Sequence, residues 1–173
     1  MTAYYFDTNT LVYWAESRAK SVCDTNVEMK IGTLVERLIL DPSVRTAVSE
    51  ITLAEFHDVI CAKWRDGNRP ELSEEWADEV ESALMKWIEQ SRLHVLPMPP
   101  KLIEKAMNYV MSVTREKQGG LRAWDAAHTN QAVEWARELG EVVIVVTRDG
   151  DFEKLLKIYP EFRRFVNLLN PAN

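Results

Sequence analysis

Thiol and imidazole chemistry has little to draw on in this chain, which holds two cysteines and three histidines among 173 residues. Cys23 and Cys61 form no CxxC pair and no Cys/His group of zinc-like spacing, and HExxH does not occur. Both cysteines are expected to be reduced packing residues. No apolar run reaches the about 18 residues of a membrane span, and no basic region followed by an apolar segment opens the chain. A cytoplasmic protein is expected. Positive charge is short as well, 21 basic against 27 acidic residues, which argues against a protein that coats nucleic acid by bulk charge. A nucleic-acid face would have to be a local patch of Arg and Lys. Repeats, low-complexity tracts and linkers are also missing.

What is present suffices for one sizeable core: 46% of the residues are hydrophobic, and the length favours a single domain over residues 1–173. Periodicity alternates between strands and helices. Apolar, aromatic Ala3 to Phe6 reads as a strand, with a short helix from Thr8 to about Ala19 behind it. Residues 26–40 form a second helix, stopped at Asp41-Pro42. Val44–Ser49 is β-branched and strand-like, and a helix follows from Glu50 to Arg65. Ser73 is a natural N-cap for a helix reaching about Ser91, with Trp76, Val80, Leu84, Trp87 and Ile88 as its buried stripe. Leu93–Leu96 is a third strand, and helices follow from Pro100 and from Arg122 to Leu139. The unbroken run Val142–Val146 is a strand buried on both faces, and Phe165–Leu169 an edge strand beyond a short helix from Phe152 to Ile158. This alternation predicts a three-layer α/β/α sandwich around a mainly parallel sheet.

Ligands of such sheets bind beyond the carboxyl ends of the strands, so acids placed there matter. Asp7 follows the first strand, Glu55 rides on the helix after the second, Asp125 lies in the first turn of the helix before the Val142–Val146 strand, and Asp149 with Asp151 follows that strand. Any one alone is ordinary capping or turn chemistry. Together, in apolar surroundings, like charges would repel unless a cation neutralised them. Oxygen-only donors select a hard ion, Mg²⁺ or Mn²⁺, rather than zinc. Such a site suits phosphodiester hydrolysis. Asn9 and Thr147 are candidates to hydrogen-bond ligands or water, or else to cap a helix and a turn.

Phe-Asp-Thr-Asn-Thr-Leu at 6–11, Val-Ser-Glu-Ile-Thr-Leu-Ala-Glu-Phe at 48–56, Trp-Asp-Ala-Ala-His at 124–128 and Val-Thr-Arg-Asp-Gly-Asp-Phe at 146–152 resemble, in order, the four signature segments of PIN-domain ribonucleases. Within that superfamily the chain is most similar to the VapC-type toxins of prokaryotic toxin–antitoxin modules. The resemblance implies a Mg²⁺- or Mn²⁺-dependent endoribonuclease in which Asp7, Glu55, Asp125 and Asp149 form the acidic quartet. Asp151 would be an accessory acid, and Asn9 and Thr147 supporting polar positions. It also implies a homodimer blocked by a cognate antitoxin. The chain is longer than the compact toxins, and a helical elaboration at roughly 66–91 accounts for the excess.

Arg122 and Arg148 neighbour acidic motifs and are candidates to hold RNA phosphates, or to pair with the same acids. His57 points about 200° away from Glu55 on a helix and cannot share its metal. His128, one turn after Asp125, is expected to serve structure, as are the packed Trp14, Trp76, Trp87 and Trp135. Three other readings compete. A PIN-fold nuclease of RNA processing outside toxin–antitoxin systems needs the same acids. A non-catalytic PIN-fold binding module does not use them. A haloacid-dehalogenase-like phosphatase would carry DxDxT at 7–11, but Asn9 replaces its second acid and Glu55 and Asp125 stay idle.

Overall fold

The computed structural model describes residues 1–19, 26–66, 68, 69, 71–115 and 123–171. Cys23 and Arg122, singled out above, lie outside them. Among the described residues, five strands, β1 (Thr2–Phe6), β2 (Val44–Ser49), β3 (His94–Leu96), β4 (Val143–Val146) and β5 (Val166–Leu169), make one sheet in the order β3-β2-β1-β4-β5. Every pairing is parallel. The sequence argues for a strand at 142–146 buried on both faces; the structure starts it at Val143, exposes Val142 and places β4 inside the sheet between β1 and β5.

Among the described residues, seven helices cover the sheet: α1 (Thr8–Ser17), α2 (Asn26–Leu40), α3 (Glu50–Asp66), α4 (Glu74–Glu89), α5 (Pro100–Arg115), α6 (Ala123–Leu139) and α7 (Gly150–Ile158), with a 3-10 turn at Pro160–Arg164. Alternation along β1 sorts the layers. Phe6 joins an apolar cluster with Leu11 and Trp14 of α1, Ile31 and Val35 of α2, Phe56 and Ile60 of α3, and Trp76 and Val80 of α4. Ala3 and Tyr5 face the other cluster, with Val133 and Trp135 of α6 and Phe152 and Leu156 of α7. The result is the three-layer α/β/α sandwich expected from the alternation.

Local chemistry accounts for the boundaries. Ser73 caps α4 by accepting from the Trp76 N–H, with Glu74 and Glu75 in the first turn. Gly140 ends α6 with φ of +66°, a left-handed conformation that glycine adopts without a Cβ penalty. In α2, Gly32 lets α1 approach: a Cβ there would lie 2.0 Å from Ser17 Oγ. The helix α4, within the expected elaboration at roughly 66–91, packs into the core with the stripe the sequence marks. Trp76 of α4 is buried and donates its indole N–H to the Ala15 carbonyl at the end of α1, 2.9 Å away. Trp14, Trp87 and Trp135 are buried as expected, and Trp14 packs against Trp87 with ring centroids 4.7 Å apart.

Candidate functional site

Because all strands run the same way, their carboxyl ends share one edge, and the acidic motifs gather along it. Asp7 is the residue just past β1 and the N-cap of α1. Its Oδ1 accepts from the Thr10 N–H at 2.7 Å, and its Oδ2 accepts from the Thr147 hydroxyl at 2.5 Å. The carboxylate is 3% exposed. Burial pushes its pKa above the ordinary range, although the Thr10 and Thr147 donors pull it back. Thr147, buried just past β4, also accepts from the Asp149 N–H at 2.9 Å and so ties the β1 and β4 motifs together. Asp149 caps α7 by accepting from the Asp151 N–H, also at 2.9 Å.

Glu55 reaches the edge from α3. Its Oε2 accepts from the Thr8 hydroxyl and lies 3.1 Å from His128 Nε2. His128 of α6 is 3% exposed, and its Nδ1 lies 2.8 Å from the Tyr5 hydroxyl, with Ser49 and Thr52 hydroxyls at 3.4 Å. Glu55 as a carboxylate only accepts, so Nε2 carries a proton and Nδ1 accepts from Tyr5. Burial pushes the Tyr5 phenol well above its usual range, which keeps it a donor. His128, expected to serve structure alone, is the group that aims Glu55.

Asp125 is buried in the first turn of α6. It shares a neighbourhood with Asp149, Asp151 and Lys154 of α7: the hydrogen bond to Asp151, then the charges of Asp149 and Asp125, raise the Lys154 pKa. Lys154 pairs directly with Asp151. No local signal in the sequence marked this lysine, which sits one turn after an acid on an ordinary helix. Among the described residues, no three acids of this edge bring ligand atoms within 4.8 Å of one another. Like charges are instead spread over hydroxyl, imidazole and ammonium partners.

Asn9 is exposed on the first turn of α1. Arg148 is exposed and lies over the Tyr13 ring at 5.0 Å, a cation–π contact rather than the ion pair with the neighbouring acids that the sequence left open. A cleft of about 740 Å³ runs from this edge, lined by Thr147, Arg148, Asp149, Arg163 and Asn167 among others. Arg163 escaped the sequence argument because it comes from the separate 3-10 turn.

One further group lies off this edge. Cys61 is free and only half-buried on α3, with its Sγ 3.7 Å from His57 Nε2, so it is not the core packing residue the sequence suggested.

No family model matches the sequence, and no curated protein matches it. Solved structures do. A chain of the DNA-bound VapBC from Salmonella typhimurium superposes with a TM-score of 0.59 at 17% identity, covering 99% of each chain. VapBC2 from Rickettsia felis, bound to a DNA fragment from its promoter, gives 0.56 at 16%, over 98% of this chain and 100% of that one. FitAcB from Neisseria gonorrhoeae gives 0.55 at 18%, over 97% of each. At such identities the likeness is one of fold, and the fold of this chain is the PIN-like α/β/α sandwich found in the VapBC and FitAcB structures.

Proposed function

We propose that the chain is a Mg²⁺- or Mn²⁺-dependent endoribonuclease and the toxin of a toxin–antitoxin pair. The observation that carries this reading is the joining of Asp7 to Asp149 through the Thr147 hydroxyl at the carboxyl edge of the sheet. Glu55 and Asp125 are brought to the same edge by separate helices. The donor set fits a hard divalent ion. It consists of carboxylate and hydroxyl oxygens, one carboxylate is buried against its preference for water, and the acids around Lys154 stabilise positive charge. Asp7, Glu55, Asp125 and Asp149 would hold the ion, with Asp151 beside them. When bound, it supplies a Lewis acid that orients and activates water and offsets phosphoryl charge.

The protein's own residues do the rest. Thr10 and Thr147 fix the Asp7 oxygens, while Thr8 and His128 fix Glu55, so the carboxylates are held in place before substrate arrives. Arg148 and Arg163, lining the cleft beside Asp149, suit the phosphates of a bound strand as forked donors, and Arg122 is assigned to the same task. The toxin reading draws support from the VapBC structures. Ile103, Met107 and Met111 form an exposed stripe at helical spacing on α5 and give a second copy an apolar face to cover. A single domain over 1–173 and a cytoplasmic setting belong to the same reading; no described helix is long and apolar enough to cross a membrane.

Cleavage of single-stranded and structured RNAs by the purified chain with Mg²⁺, Mn²⁺ or chelator, beside Asp7→Asn, tests the proposal. Cutting that requires metal and disappears in the folded variant is expected. Cutting that survives both chelation and the substitution would refute the assigned site.

A further inference from the structure

His57, Cys61 and Glu81 each offer one ligand atom, and these atoms lie within 4.8 Å of one another. From this we infer a second metal site, for a borderline-soft divalent cation such as Zn²⁺, clamping α3 to α4. His57 and Cys61 are four residues apart, so both project from one face of α3. Glu55, two residues before His57, faces away from them toward His128. Glu81 comes across from α4 and lies with its Oε1 2.5 Å from His57 Nδ1.

The distances match what coordination requires. A tetrahedral Zn²⁺ with bonds of about 2.3 Å to sulfur and about 2.0 Å to nitrogen separates those two ligands by roughly 3.6 Å. His57 Nε2 and Cys61 Sγ stand 3.7 Å apart. Donation from Nδ1 to Glu81 selects the tautomer that leaves the Nε2 lone pair facing the sulfur, the carboxylate–histidine arrangement common around zinc. Thiolate and imidazole favour Zn²⁺ over Mg²⁺, the reverse of the all-oxygen edge. With Glu81 engaged by the Nδ1–H, His57 Nε2 and Cys61 Sγ are the two protein ligands; the His57 side chain is 61% exposed and that of Glu81 36% exposed, so water has access to complete the remaining positions. Through the His57–Glu81 bond the metal would brace α3, which also carries Glu55, against α4, whose Trp87 packs on Trp14.

Titrating the reduced, chelator-stripped full chain with Co²⁺ tests the site, because a cysteine ligand produces a near-ultraviolet thiolate-to-Co²⁺ charge-transfer band. The band is expected in the wild type, to be displaced by Zn²⁺ and to persist in excess Mg²⁺. It is expected to vanish in Cys61→Ser but to persist in Cys23→Ser and in Asp7→Asn, which separates this site from the acidic edge. Glu81→Gln is expected to weaken Co²⁺ binding about 10- to 100-fold. No band in the wild type, or a band that survives Cys61→Ser, would overturn the proposal. Unchanged affinity in Glu81→Gln would overturn the clamp to α4.

Discussion

Replacing Asp7 with Asn pits the cost of a buried charge against the donors that satisfy it. Burying an ion costs several kcal/mol even after relaxation, and Asp7 is 3% exposed. Two hydrogen bonds to a charged acceptor return about 1.5–3 kcal/mol each, and neutral ones about 0.5–1.5 kcal/mol. Asn keeps the Thr10 acceptor, serves as well at the N-cap, and presents its amide N–H to the Thr147 oxygen. Since burial outweighs the donors and raises the Asp7 pKa, the variant should be more stable in chelator by about 1–2 kcal/mol at neutral pH. For a chain of this size that is a melting temperature higher by about 2–8 °C.

The pH dependence has a definite sign. A carboxyl raised in the folded state costs nothing below its unfolded pKa of about 3.9. Stability then falls as pH rises toward the folded value and is flat above it. The gap between variant and wild type should therefore be absent near pH 4 and open as pH rises. Mn²⁺ should reverse the order, because ligand at 100 times its Kd adds about 2.7 kcal/mol to whichever protein binds it. Differential scanning calorimetry across pH, with chelator and with Mn²⁺, reads all of this. A variant less stable in chelator at neutral pH, or a gap that ignores pH, would refute the reasoning.

Thr147→Val keeps the shape but strips the hydroxyl from both Asp7 and the Asp149 N–H; a loss of about 1–3 kcal/mol in denaturant unfolding is expected, together with weaker Mn²⁺ binding by calorimetry. Gly32→Ala should destabilise the chain despite a helix-propensity gain of about 1 kcal/mol, because its Cβ meets Ser17 and overpacking costs about 1–3 kcal/mol. A higher melting temperature for this variant would show that α1 and α2 separate easily.

Features written in local chemistry were legible in the sequence. The Asp41-Pro42 stop puts the end of α2 at Leu40, Ser73 caps α4, and β-branched 44–49 is β2 from end to end. The alternation of strands and helices likewise leads to the sheet's layers. Residues that owe their place to distant contacts were not legible. His128 meets Glu55 across 73 residues and Tyr5 across 123, and no helical period signals either. Ile103 falls within the apolar pattern of α5, yet it is exposed while Leu102 and Ala106 are buried; periodicity identifies a helix more readily than the rim of its buried face. The His57–Cys61 pair was not legible as a Cys/His group, because the third member of the cluster, Glu81, sits on another helix.

The position of β1 at the centre of the sheet sets the order in which the molecule can be built. Its two neighbours are β2 and β4, and Ala3 pairs with Val143. A parallel sheet has no hairpin to close early, so this pairing waits on loop closure across most of the chain, a topology that folds slowly. The Asp7–Thr147 bond spans 140 residues. During synthesis the aspartate is made 140 residues ahead of the threonine that holds it. A nascent chain therefore carries an unassembled acidic edge until β4 emerges.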